Sequence, residues 1–212
     1  MEQVFVSGYL PTYFPKDMKF LRLHLDFGDE RRKMSHEEFW EFCQKNPNLN
    51  AELTKEGDVI IMPPTGWETS DRNSELNFQL RLWSKKDGRG KVADSNGGFI
   101  LPNGAICSPD SAWILKSRLE KLSKEALEKF LPLCPDFVVE ITSPSDSLKN
   151  TQAKMIEYIE NGALLGWLIH TKTKQVFIYQ PNKEVEVLEN PTKVSGEPFL
   201  TGFELDLTEI WN

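Results

Sequence analysis

The sequence has few of the residues that build disulfide frameworks or zinc sites. Cys43, Cys107 and Cys134 are its three cysteines. They are odd in number, widely spaced and without a CxxC pair, which argues against both kinds of scaffold. The three histidines, His24, His36 and His170, never share a helical turn, so a histidine-based metal centre has little support. No apolar run approaches the ~20 residues of a membrane-spanning helix. The N-terminus lacks the basic and apolar regions of a signal peptide, and the expectation is a cytoplasmic protein with no membrane partner. Positive charge is not in excess: 25 Lys and Arg stand against 32 Asp and Glu, a net charge of −7. That argues against a broad non-specific nucleic-acid surface but leaves room for a local basic groove.

What is present suffices for one domain with a sizeable core, since 212 residues carry 39% hydrophobic and 27% charged side chains. The first 34 residues read as an N-terminal arm or edge strand, with an alternating stretch from Phe20 to Phe27. A single domain is expected over residues 35–212. Ser35 and Glu38 form a capping box at the start of a helix whose apolar stripe is Phe39, Phe42 and Cys43. Two short strands follow around a Lys-Glu-Gly-Asp turn. DRNSELNFQLRLWSKK then predicts a helix with Leu76, Leu80 and Trp83 in its stripe, widened by Phe78 and Leu82. Short strands lead to SPDSAWIL and, after a helical insertion (Leu122, Ala126, Leu127 and Phe130 apolar), to PDFVVEITS. A helix ending at Asn161-Gly162 comes next, then two strands across the TKTK turn. The pattern is α/β: a mixed sheet with flanking helices.

Within this pattern the carboxylates stand out. If SPDSAWIL and PDFVVEITS pair as antiparallel strands, the start of the first lies opposite the end of the second. Asp110 and Glu140 then converge at one end of the sheet. Alternation sets Phe137, Val139 and Ile141 on one face and Val138, Glu140 and Thr142 on the other. Two adjacent carboxylates repel and are most easily held ionised by a cation. All-oxygen ligands with open positions suit Mg²⁺ or Mn²⁺, and the carbonyl of Ile141 is a natural third ligand. Such a metal activates water and neutralises a phosphoryl transition state. Lys154 can bring an ammonium from the following helix, with Tyr158 one turn further on the same face, and Gln152 can also point toward the sheet end.

The stretches SPDSAWILKSR, CPDFVVEITSPSD, QAKMIEYIENGALLGWLI and PFLTGFELDLTEIW resemble the Uma-two family of endonucleases. So do SHEEFWEFCQKNPNLNAEL and MPPTGWETSDRNSELNFQLRLW. The resemblance runs from about Ser35 onward, and the family is similar to the PD-(D/E)xK superfamily. It implies a restriction-endonuclease-like fold and Mg²⁺-dependent cleavage of phosphodiester bonds in DNA. It carries the metal ligands onto Asp110 and Glu140 and a helix glutamate onto Glu75. Many nucleases of this fold class work as dimers, so a homodimer is a further expectation. The chain departs from the superfamily pattern at Thr142, where the E-x-K motif has lysine. Lys154, in a K-x-x-x-Y arrangement, is the candidate substitute. That departure and the −7 charge keep open a catalytically inactive nuclease-fold protein that binds nucleic acid or protein.

Each residue also has a plainer reading. Asp110 after proline is a common turn residue. Glu140 in an apolar strand needs a cation or a basic partner, and Lys154 or Arg72 could supply a structural salt bridge. Glu75 and Lys154 could be solvated helix residues, and Trp67 could line a cleft or cover the core edge. The densest basic stretch, Arg72, Arg81, Lys85, Lys86, Arg89 and Lys91, could bind phosphate or simply favour the helix end.

Overall fold

The computed structural model describes residues 33–144 and 146–212, together with the backbone of Leu21–Leu23. The expected N-terminal arm otherwise lies outside the described residues. In chain order the elements begin with β1 (Leu21–Leu23), α1 (His36–Lys45), β2 (Asn50–Leu53), β3 (Val59–Met62) and α2 (Trp67–Asp87). Then come β4 (Gly90–Asp94), β5 (Phe99–Ile100), β6 (Ile106–Cys107), β7 (Ser111–Leu115), and the short helical turns α3 (Lys116–Leu119) and α4 (Lys124–Leu127). The last part holds β8 (Phe137–Ile141), α5 (Leu148–Glu160), β9 (Leu165–His170), β10 (Gln175–Tyr179), β11 (Glu186–Glu189), β12 (Lys193–Ser195) and β13 (Glu204–Asp206).

A six-stranded sheet in the order β11-β10-β9-β8-β7-β4 carries the centre of the molecule. β8 and β9 run parallel, and α5 is the crossover between them. The other pairings in this sheet are antiparallel, so the sheet is mixed. A five-stranded sheet, β1-β3-β2-β6-β5, stands beside it, and β12 and β13 form a small ribbon. β1 pairs antiparallel with β3 at the sheet edge, Leu21 with Ile61 through Leu23 with Val59.

The alternation along β8 divides the apolar core. Phe137, Val139 and Ile141 pack with Leu76 and Leu80 of α2, Trp113, Trp167 and the C-terminal Phe203, Leu205, Leu207 and Ile210. Val138 faces the other way, toward Met155 and Tyr158 of α5. One face of the sheet is thus covered by α2 and the chain's end, the other by α5. A third cluster joins Phe39 of α1 to Leu53, Val59 and Ile106 of the five-stranded sheet.

Local sequence sets the helix ends. The capping box at α1 is formed: Glu38 N–H donates to Ser35 Oγ and Ser35 N–H to Glu38 Oε2. α2 stops at Gly88, whose φ of 78° is left-handed and suits a residue without a side chain. The expected widening of the α2 stripe does not occur. Phe78 is 61% and Leu82 45% exposed, because Leu76 and Leu80 already face the sheet and Phe78 and Leu82 are turned well away from them. The helical insertion is two single turns, and its Leu127 is exposed rather than buried.

Candidate active site

β7 and β8 pair antiparallel, with Ser111 opposite Val139, Ala112 opposite Val138 and Trp113 opposite Phe137. One further step of this register sets Asp110 opposite Glu140. Asp110 is anchored on both carboxylate oxygens. Oδ1 accepts from Asn73 Nδ2 at 2.8 Å, and Oδ2 accepts from the N–H of Ile141 at 2.7 Å. Asn77, one turn along α2 from Asn73, donates to the Asp110 carbonyl at 3.0 Å and accepts from Ser111 Oγ at 2.9 Å. These two asparagines fix the start of β7 to the helix.

Glu140 is buried on the α5 side. Its Oε1 takes Lys154 Nζ at 2.9 Å and the Tyr158 hydroxyl at 3.1 Å. Lys154 and Tyr158 are one turn apart, which is why one helix face delivers both. Lys154 has a second carboxylate partner, Glu52 of β2, with Nζ 2.8 Å from Oε1. The same oxygen of Glu52 accepts the N–H of Ser108 at 2.7 Å. The cluster therefore sets two carboxylates on one ammonium, with Asp110 opposite Glu140.

Burial dominates the electrostatics. It pushes Glu140 up to about 8, against the pull of Lys154, with Asp110 and Glu52 adding repulsion. Asp110 is also raised by burial, opposed by the Ile141 N–H, Lys154 and Asn73. Burial works to lower Lys154, but the carboxylates of Glu140 and Glu52 outweigh it and hold the ammonium protonated well above its ordinary range. Tyr158 is raised by burial and by Glu140, so its hydroxyl stays a donor.

Asp110, Glu140, Ile141 and Lys154 thus come together, Ile141 through its N–H. Gln152 is half-buried in the first turns of α5. Glu75 lies elsewhere. Its carboxylate accepts from Gln79, which in turn grips the Asp206 backbone beside the C-terminal ribbon. Arg72 pairs with Glu68 and the C-terminal carbonyl rather than Glu140. Trp67 is 81% exposed and covers no core edge. In the basic stretch, Arg81 donates to the Val92 carbonyl and Arg89 pairs with Asp87. Sequence reasoning missed Glu52 and Asn73. Glu52 carried a signal, an acidic side chain beside Leu53 in a predicted strand; Asn73 is the polar residue three before Leu76, on the core-facing side.

The donors fit a hard divalent cation. They are two carboxylates and neutral oxygens, and Asn73 Oδ1 is buried with no hydrogen-bond partner beside Asp110. Among the described residues no group of three or more His, Cys, Asp or Glu side chains is arranged to hold a metal ion. Mg²⁺ does not need such a group, since it is commonly held by one or two carboxylates, waters and substrate phosphates.

The family model described as "Putative restriction endonuclease", Uma2, matches residues 36–208. The chain belongs to the Uma2 family. Its fold is restriction-endonuclease-like. It superposes with a TM-score of 0.70 on the crystal structure of "a putative nuclease belonging to DUF820" from Anabaena variabilis. That likeness covers 84% of this chain and 97% of the other, at 21% sequence identity. No curated protein matches the sequence. Among the described residues of this Uma2 chain, no helix is long and apolar enough to cross a membrane.

Proposed function

We propose that this Uma2 protein is a metal-dependent endonuclease that hydrolyses phosphodiester bonds of DNA. The observation that carries the reading is the convergence of Asp110 and Glu140 at one sheet end, with the Lys154 ammonium 2.9 Å from Glu140. The family description and the fold support it.

Asp110 and Glu140 would hold Mg²⁺, or Mn²⁺ in its place, with the Ile141 carbonyl and Asn73 Oδ1 as neutral donors. Bound there, the cation supplies Lewis acidity: it lowers the pKa of water and offsets charge on the phosphoryl oxygens. The Ile141 N–H and Asn73 hold the Asp110 carboxylate in place. Lys154 keeps its proton and offers donors to an attacking water or to the phosphate. Tyr158 fixes Glu140 through Oε1, which leaves Oε2 for the cation. Gln152, half-buried on α5, is the remaining candidate to assist. On α2, Asn73 rather than Glu75 acts on Asp110.

Titration of Mn²⁺ into the protein and its Asp110→Ala variant, paired with cleavage of plasmid DNA, tests the reading. Binding and cleavage by the parent, both lost in the variant, are expected. Unchanged cleavage by the variant would sink the assignment. No binding by the parent, with or without an oligonucleotide, would favour the nuclease-fold binding module instead.

A further inference from the structure

Helix α2 buries one side and leaves the opposite side bare. Leu76, Leu80 and Ser84 mark the buried side. At ~100° per residue, the stripe Trp67, Asp71, Ser74, Phe78, Leu82 and Lys85 falls on the far side, with its members three or four residues apart. Trp67 is 81%, Phe78 61% and Leu82 45% exposed. Large apolar groups aligned on one helix face differ from singly scattered ones, and such patches mark interaction surfaces.

We propose that this face is a homodimer interface, in which α2 packs antiparallel against α2 of a second copy with the twofold axis at Phe78. The charge pattern selects this occupant. Glu68, Asp71 and Glu75 against Arg72 leave the N-terminal half of α2 net acidic, and Arg81, Lys85 and Lys86 against Asp87 leave the C-terminal half net basic. Antiparallel pairing lays each acidic half on the basic half of the other copy. The register follows from the spacing, because a twofold contact is self-complementary. Asp71 and Lys85 are equidistant from Phe78, so each stands level with the other residue of the second copy. Ser74 and Leu82 are also equidistant from Phe78, which sets a small side chain beside a large one. Phe78 meets its own copy at the centre, where an aromatic anchor contributes most. Spacing by threes and fours suits two helices that cross at a shallow angle. Among the described residues the Asp71 and Lys85 side chains form no hydrogen bond or ion pair, so both are available. A nucleic acid fits this stripe less well, because the net acidic N-terminal half, with Asp71 on the stripe itself, would repel phosphate.

Sedimentation velocity on the full chain across a range of micromolar concentrations tests the proposal without reference to nuclease activity. A dimer is expected for the parent. Phe78→Asp should raise the dimer dissociation constant by roughly tenfold or more, with an unchanged circular dichroism spectrum because Phe78 is exposed. Asp71→Lys alone should weaken the dimer, and Asp71→Lys with Lys85→Asp should restore it. A parent that stays monomeric overturns the proposal. So does a dimer indifferent to Phe78→Asp, or a charge swap that fails to restore what Asp71→Lys removed. Monomeric parent that binds an oligonucleotide and loses it on Phe78→Asp would overturn it in favour of a nucleic-acid surface.

Discussion

Lys154 Nζ lies 2.8 Å from Glu52 Oε1, across 102 residues of chain. The contact ties α5, which covers the six-stranded sheet, to β2 of the neighbouring five-stranded sheet. Glu52 also accepts the Ser108 N–H just before Asp110. The ammonium is therefore held from both sides, by Glu52 and by Glu140. A flexible lysine so clamped has lost its rotamer freedom before any substrate arrives, which is the condition for effective charge stabilisation.

Glu52→Gln keeps an acceptor for Ser108 and removes one carboxylate from Lys154. The expected loss of stability is about 1–3 kcal/mol, read from urea unfolding. Lys154 is left with Glu140 alone and competes harder with a cation there, so Mn²⁺ affinity should fall as well. Unchanged unfolding midpoint and affinity would show the contact to be idle.

The raised Glu140 sets a pH dependence. Its folded value of about 8 lies above the ordinary carboxylate value of 4.5. The unfolded chain releases this proton first, so the stability contribution is fully present below about 4.5 and fades as pH rises through about 8. Between pH 5.5 and 8.5 the urea midpoint of the metal-free protein should fall by more than that of Glu140→Gln. A cation competes with the same proton, so Mn²⁺ affinity should climb between pH 6 and 8 and then level off. Titration calorimetry at three pH values reads this, and a flat affinity would remove Glu140 from the metal site.

Much of the site was legible because it depends on short-range periodicities. Strand alternation sorted Val139 from Glu140, the hairpin placed Asp110 opposite Glu140, and one helical turn joined Lys154 to Tyr158. Glu52 was not legible as a partner, because its contact depends on how two sheets sit side by side, and no local period encodes that. The expectation of Glu75 rests on the family resemblance rather than on the helix itself. With Leu76 and Leu80 facing the sheet, Asn73 and Asn77 share their side and Glu75 is turned toward Gln79. The expectation that Phe78 and Leu82 widen the α2 stripe fails because their angle on the helix places them outside it.

Gly90 is required by packing. A Cβ there would meet the Trp113 ring at 2.1 Å. Trp113 is fully buried and donates through Nε1 to Ser84 Oγ at 3.0 Å, so the ring cannot step aside. Gly90→Ala should cost about 1–3 kcal/mol or more. Gly66→Ala, where nothing lies within 4 Å, is the matched control and should cost under about 1 kcal/mol. Thermal unfolding of both variants decides it, and equal costs would contradict the packing.

Position 142, where the resemblance leads one to expect a lysine, holds a residue with another task. Thr142 is buried, its Oγ1 accepts the Thr171 N–H at 3.3 Å, and its carbonyl accepts the Thr171 hydroxyl at 3.0 Å. These bonds close the end of β8 onto the turn after β9. Lys154 approaches Glu140 from the helix instead, so Lys154→Ala should reduce cleavage by ~10²-fold or more while leaving Asp110 anchored. Residue 142 alternates onto the face of Glu140, and a lysine there would return an ammonium to the same carboxylate. Thr142→Lys combined with Lys154→Ala should therefore recover part of the lost rate, at a stability cost of about 1–3 kcal/mol for the lost Oγ1 bond to the Thr171 N–H. Single-turnover cleavage and urea unfolding on the same preparations separate the two effects. A folded double variant with no recovery would show that the position imposed by Glu52, and not the charge alone, is what the reaction uses. Full activity in Lys154→Ala would remove the ammonium from the chemistry.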